Sequence, residues 1–545
     1  MGRINEDQTI VGRVFRRIDI IIIVLFAIIP LFLSFPYRVN IFLSWEGAYR
    51  LSEGQLPYRD FGLPMGYMYW TVPAIFFKIF GAQMITLIKA QVFLNIISGL
   101  AFRSILKSLS VQWGIRLLSV LLFCISFSFF NFWPWYNHTV IVYELIALAF
   151  LHKYIFSFHK HRWAWLAGAG LFTAFSFMTK QDGGGIAFLV CSALLLYNCI
   201  AEKKWMGLVL YVACFAFFLF LLIFPFLKYG FSYWFNHGQA PHTARVSLFD
   251  IVDDFFSASQ WIRFYIFLIA LILLAVVKKG ADFFRDKKEM IFLLLTLGIL
   301  GEAAILQVTS YTPPDNNIFF HSFAFVYILS LLSKKLEINF NLLKPLSIGF
   351  LGVMLWWSGV FWKYIQRFAE RASSQAGMMS KNSENIVNRK TYMIGVDTTT
   401  IQEGEWTFSR FRSFSGIYMP KPTIDGMERI MAMDIVKNKR DLRVLNMSEL
   451  TPLAAEMPFQ LEKGEGHPLW YHLGVSMFNK QAEMFESNIR DRKYDLVLFE
   501  YIPTLNNFYP FRIRDSLLQH YTKIDSFYAP RRGRETAGTI EVFVK

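Results

Sequence analysis

The sequence predicts an α-helical polytopic membrane protein with a soluble α/β domain at its C-terminal end, and three observations carry that prediction. The composition is 54% hydrophobic and 18% aromatic with only 17% charged residues, and the mean hydropathy of +0.37 lies above that of soluble domains. Apolar runs of the roughly 17–25 residues that cross about 30 Å of hydrocarbon recur through the first two thirds of the chain and then stop. Lys and Arg fall in alternate connections between these runs, the pattern of short cytoplasmic loops that retain positive charge.

About eleven spans follow, at 18–35, 84–102, 115–132, 138–156, 163–178, 185–201, 205–226, 262–277, 290–308, 318–333 and 345–362. The first has Arg16 and Arg17 before it but no small-residue cleavage site after Pro30, and is read as a retained anchor. With the N-terminus inside, inner connections hold Arg103, Lys107 and Arg116, then Lys153, Lys203, Lys204, Lys287, Lys334 and Lys335. The formal net charge of +15 is therefore a topology signal and calls for no nucleic-acid partner. All four cysteines, Cys124, Cys191, Cys199 and Cys214, lie in spans, so the tail has neither a disulfide framework nor a cysteine metal site.

This topology puts two long polar loops, 36–83 and 227–261, and the tail outside the membrane. Candidate reactive side chains collect there. Ser44-Trp45-Glu46-Gly47 and Pro57-Tyr58-Arg59-Asp60-Phe61 place two carboxylates just after the first span, and Thr179-Lys180-Gln181-Asp182 runs into a glycine triplet at the outer end of the fifth. Segment 66–80 is apolar but only about fifteen residues long and contains Pro73, so it is assigned to the interface, with aromatic rings at the headgroups. If it crossed instead, every later span would invert.

Trp45-Glu46-Gly47, Gly54 to Phe61, Pro64 and Phe80-Gly81 together resemble the first outer loop of the GT-C glycosyltransferases, in the protein O-mannosyltransferase and lipid A aminoarabinose transferase branch. Thr179 to Gly185 is similar to the Lys-Gln element of bacterial members. The resemblance covers about two thirds of the chain. It implies a GT-C membrane domain over 1–362, an outward-facing periplasmic α/β domain over 363–545, and a place in a bacterial cytoplasmic membrane. It also implies transfer of a sugar from a polyprenyl-phosphate donor to a glycan, lipid or protein acceptor. In that family the loop begins with an acidic pair; here Trp45 replaces its first member, leaving Glu46 and Asp60 as alternative catalytic carboxylates.

Such a transfer needs an acidic group to take the acceptor's proton, and cations or amides to hold the departing phosphate. Glu46 or Asp60 supplies the first. Lys180 and Gln181 supply the second, with glycines that let backbone N–H groups turn toward an anion, and Arg245 is a further phosphate ligand. A single in-line displacement inverts the anomeric carbon. Arg59, Asp182, Glu144, Glu302 and His321 are placed at the cavity, the two glutamates because an acid inside a span is costly unless it is paired or faces a polar space. Each has a plainer reading: Glu46 pairs with Arg50 four residues on, Asp60 with Arg59, and Lys180 anchors at the interface. A divalent cation is the one cofactor left open; His237 and His242 lack a third ligand in register, so no metal site is assigned. The rival functions are a transporter or flippase of lipid-linked sugars and a non-catalytic glycan-binding assembly protein.

The tail reads as strands at 443–447, 495–500 and 538–544 and helices at 425–438, 478–491 and 512–520, after a serine-rich linker at 371–391. It has no glycine-rich phosphate loop and no Asp-X-Asp pair, which favours a lipid-linked donor. Segment 463–474, with His467, Trp470, Tyr471 and His472, reads as a packed surface loop, with a glycan-binding loop as the alternative.

Overall fold

The computed structural model describes residues 17–37, 41–63, 65–126, 133–157, 161–231, 248–257, 259–277, 283, 285–310, 319–356, 406–457, 459–464, 467–469, 478–503, 510–530 and 538–545. Arg245, His237, His242, Trp470, Tyr471, His472 and the 371–391 linker lie outside them. The chain divides into two compact units, one of Met1–Leu31, Met65–Tyr69 and Ala90–Phe361, the other of Phe32–Pro64, Trp70–Lys89 and Trp362–Lys545.

The eleven expected spans are mostly helical where described, the first giving way after Phe32 to extended chain at Phe35. Among the described residues five helices are long and apolar enough to cross a membrane: Met84–Ser108, Tyr136–Phe156, Gln181–Glu202, Met206–Tyr229 and Lys287–Thr309. A sixth candidate is the pair Phe249–Ser257 and Gln260–Ala275, bent by 80°. The Met206–Ile223 helix is apolar on all sides and leaves Val209, Phe217 and Phe220 more than half exposed. A helix with no polar face and no protein cover is one that meets lipid. This is a polytopic helical membrane protein with a C-terminal α/β region.

In the first unit, helices Tyr136–Phe156, Arg162–Phe177, Gln181–Glu202 and Lys287–Ser310 pack around a common core. The arginines at the ends of the expected spans are not all solvated anchors. Asp19, 1% exposed, receives Arg103 at 2.7 Å and Arg116 at 2.9 Å, fixing the first helix against two others.

The second unit holds a five-stranded sheet in the order Phe459–Gln460, Leu442–Met447, Leu496–Tyr501, Thr539–Val544, Thr522–Tyr528. The first three strands run parallel and the last two antiparallel. Leu496-Val497-Leu498-Phe499 is buried throughout, the signature of a central strand covered on both faces. Helices Phe478–Arg490 and Phe511–His520 supply Ala482, Phe485, Ile489, Ile513 and Leu517 to its core.

The stretch read as the polar loop 36–83 contains two helices, Ile41–Ser52 and Met68–Phe80. Glu46 therefore stands on a helix and not in a loop. At about 1.5 Å per residue the 13-residue Met68–Phe80 helix is near 20 Å long, short of a bilayer core, and Ile75, Ile79 and Phe80 are about half exposed or more.

Candidate functional site

The candidate carboxylates, Glu46 and Asp60, lie in the second unit. Within Ile41–Ser52, Trp45 is fully buried, stacked on Tyr49 at 4.6 Å and against Phe77 at 5.8 Å. Gly47 is obligatory: a Cβ there would lie 2.1 Å from the Trp70 ring, whose Nε1 donates to the Leu43 carbonyl at 2.9 Å. With Trp45 and Gly47 committed to packing, Glu46 faces Arg50, one helical turn on.

Arg50 is only 3% exposed and organises the region. Its Nε donates to Glu46 Oε1 at 2.9 Å, and its Nη2 lies 2.7 Å from the same oxygen. Its Nη1 donates to Gln55 Oε1 at 2.9 Å and to the Glu462 carbonyl at 2.6 Å. The Nη2 also meets His467 Nε2 at 3.2 Å, and the guanidinium lies 5.6 Å from the Phe61 ring centre. Gly54 ends the helix at φ +82°, turning the chain so that the Gln55 N–H returns to the Arg50 carbonyl.

Asp60 closes the next turn. Its Oδ2 accepts the Leu56 N–H at 2.7 Å and Arg59 Nη2 at 2.6 Å, and its Oδ1 accepts Arg59 Nε at 3.0 Å. Burial alone would raise this carboxyl, but the Arg59 and Leu56 hydrogen bonds and the charges of Arg59 and Lys463 hold it below the usual carboxylate range. The turn is stitched to the 464–469 segment through Gly464 N–H to Asp60 O, Gly62 N–H to His467 O and Leu469 N–H to Gly62 O, each 2.9 Å. Burial, with Arg50 and Lys493 nearby, pushes His467 well below its ordinary value.

The candidate cation Lys180 lies in the first unit. Lys180 is extended, at φ −153°, immediately before Gln181–Glu202, and its Nζ lies 2.8 Å from Asp182 Oδ2. The glycines after it serve packing rather than an anion cradle. A Cβ at Gly184 would come within 2.1 Å of the Phe177 Cα, and one at Gly183 within 2.9 Å of Val140. Their N–H groups are committed to Lys180 O and Asp182 Oδ1, at 2.9 and 2.8 Å. Behind them, segment 65–69 docks on the same corner: Met68 N–H donates to Met178 O at 3.0 Å, and a Cβ on Gly66 would lie 1.6 Å from that oxygen.

Of the cavity candidates, His321 is 4% exposed and its Nδ1 lies 2.7 Å from the Tyr265 hydroxyl, a satisfied position in the helical core. Arg59 is engaged by Asp60. Glu144 and Glu302 are both 1% exposed, on two different helices of the first unit. Among the described residues no three His, Cys, Asp or Glu side chains gather as metal ligands. Sequence reasoning saw Arg50 only as a partner of Glu46. Two of its other partners, the Glu462 carbonyl and His467, lie more than 400 positions away, and no local pattern encodes them.

No protein-family model matches the chain, and no curated protein matches it. Among solved structures the chain is similar to ArnT from Cupriavidus metallidurans in the apo state, with 10% identity, 98% of each chain covered and a TM-score of 0.47. It is likewise similar to ArnT from the same organism bound to undecaprenyl phosphate, with 9% identity, 96% of this chain and 97% of that one covered, and a TM-score of 0.45. Neither match adds a residue or a role to the site, which is read from its own geometry.

Proposed function

We propose that this protein is a GT-C type membrane glycosyltransferase that moves a sugar from a polyprenyl-phosphate donor to an acceptor outside the cytoplasm, by a single inverting displacement. The observation that supports it most is the Glu46–Arg50 pair. Both donors of the Arg50 fork converge on Oε1, and among the described residues Oε2 accepts no hydrogen bond. A carboxylate fixed through one oxygen leaves the other to take a hydroxyl proton. Asp60 has both oxygens occupied and is held below the usual range, which makes it the weaker base. The reading therefore gives Glu46 the proton-accepting role and makes Asp60 a positioning residue that orders Arg59 and the turn.

Lys180 takes the donor phosphate, exchanging Asp182 for it, with Gln181 and Arg245 as further donors. The division into a membrane catalytic domain at 1–362 and an outward-facing domain at 363–545 belongs to the same proposal. So does a bacterial cytoplasmic membrane, with the N-terminus inside. The short Met68–Phe80 helix supports that topology, because a helix that does not cross leaves the later assignments in place.

The test is transfer of radiolabelled sugar from polyprenyl-phosphate donors in sealed vesicles, with wild type and Lys180→Ala. Loss of one charge-assisted phosphate contact weakens donor binding by roughly tenfold to a hundredfold. Label that crosses the membrane without becoming bonded to an acceptor would replace this reading with the transporter one.

A further inference from the structure

Within the second unit, the tail acts on Glu46 from the far end of the chain. An arginine fork and a carboxylate frequently pair through two parallel bonds, one to each oxygen. Arg50 departs from that geometry, its Nε and Nη2 lying 2.9 and 2.7 Å from the same atom, Glu46 Oε1. Two partners from the tail hold it there. The Glu462 carbonyl accepts Nη1 at 2.6 Å, and His467 Nε2 lies 3.2 Å from Nη2. These partners are themselves fixed. Glu462 Oε1 accepts Lys493 Nζ at 2.8 Å and the Tyr494 hydroxyl at 2.9 Å. The His467 N–H donates to the Gly464 carbonyl at 3.1 Å, its carbonyl accepts the Gly62 N–H at 2.9 Å, and its ring meets Phe485 edge-on at 5.8 Å.

His467 is placed for the sake of one acceptor atom. A guanidinium offers only hydrogens, so the tautomer is assigned with Nε2 accepting and the proton on Nδ1. That Nδ1 is buried and meets no partner among the described residues. An unmet buried donor is destabilising, and an apolar side chain packed on Phe485 would avoid it. A residue that breaks a local rule without a structural gain belongs to a functional site. On the reading of Glu46 as the proton acceptor, on which this rests, we propose that His467 is a positioning residue for Glu46. Acting through Arg50, it keeps the fork on one carboxylate oxygen and leaves the other for the acceptor hydroxyl. Without the imidazole the fork relaxes to its two-oxygen geometry, which occupies the second oxygen and weakens the base.

Single-turnover transfer by the full chain in nanodiscs, measured beside equilibrium donor binding, tests it with wild type, Glu46→Gln, His467→Leu, His467→Gln and the double variant Glu46→Gln/His467→Leu. His467→Leu is expected to slow the chemical step by roughly tenfold to a hundredfold with donor affinity unchanged. His467→Gln, which keeps an acceptor for Nη2, is expected to restore most of the rate. The double variant should be no slower than Glu46→Gln alone, because His467 acts only through that carboxylate. His467→Met, which also lacks an acceptor for a guanidinium, replaces the Leu variant where folded yield falls. A wild-type rate in His467→Leu, a Gln variant as slow as the Leu one, or additive losses in the double variant each overturn the proposal and leave the role of Glu46 standing. Full-rate transfer by Glu46→Gln, or no transfer by wild type, is the separate result that removes the reading beneath it and the proposal with it.

Discussion

Replacing Arg50 by Met keeps most of the side-chain stem and removes every donor of a guanidinium that is 3% exposed. The substitution leaves Glu46 Oε1, Gln55 Oε1, the Glu462 carbonyl and His467 Nε2 without their common partner. Breaking a buried pair by removing one partner costs about 3–5 kcal/mol, because the other charge stays behind. The Glu46 side chain is 12% exposed, so water recovers part of its solvation, and the expected loss is at the lower end, about 3 kcal/mol. Arg50→Lys keeps the charge and one or two of the bonds but not the fork, and loses about half as much. The assay is thermal unfolding in nanodiscs followed by tryptophan fluorescence, because Trp45 and Trp70 lie against this helix. If Arg50→Met unfolds within a few tenths of a kcal/mol of wild type, Arg50 is not the organiser described here.

Gly47→Ala drives a methyl into the Trp70 ring and is expected to cost about 1–3 kcal/mol, whereas Gly185→Ala, with nothing within 4 Å, is expected to be neutral or slightly stabilising; paired melts check both. His467 stays neutral in the fold at pH values where an unfolded histidine, near 6.5, takes up a proton. Its contribution is therefore nil above that value and destabilising as pH falls below it, reaching about 2 kcal/mol at pH 5. His467→Gln should lose that much less stability than wild type between pH 7.5 and pH 5 in the same melts. Asp60→Asn should remove a stabilising term that is present above the unfolded carboxyl's range and lost as pH falls through the depressed folded one, so its deficit shrinks in acid unfolding series.

The spans were legible because an apolar run of membrane length has few other uses, and the central tail strands because their β-branched and leucine runs are covered on both faces. Thr522–Tyr528 was not seen: it is an outer strand of the sheet whose Thr522, Lys523 and Ile524 are all exposed, so it lacks an alternating apolar signal. The Ile41–Ser52 helix was missed because its length falls below that of a span and turn residues bracket it. The pairings of Glu46 with Arg50 and of Asp60 with Arg59 were visible from spacing; that of Lys180 with Asp182 was not read from it. The Arg50 to His467 link was not, since residues 417 positions apart meet only through the tertiary fold. The glycine triplet misled in a physical sense: small residues permit an anion cradle and close helix packing equally, and Gly184 is spent on the backbone of Phe177.

The most direct test of the central claim is single-turnover transfer with Glu46→Gln and Asp60→Asn, each measured beside equilibrium donor binding. The Gln side chain keeps an oxygen for Arg50 and loses only the base, so the account predicts unchanged donor affinity with chemistry slowed by roughly a hundredfold to ten-thousandfold. Asp60→Asn should be much less impaired in the chemical step. Full-rate transfer by Glu46→Gln, or loss of the chemical step confined to Asp60→Asn, would contradict it.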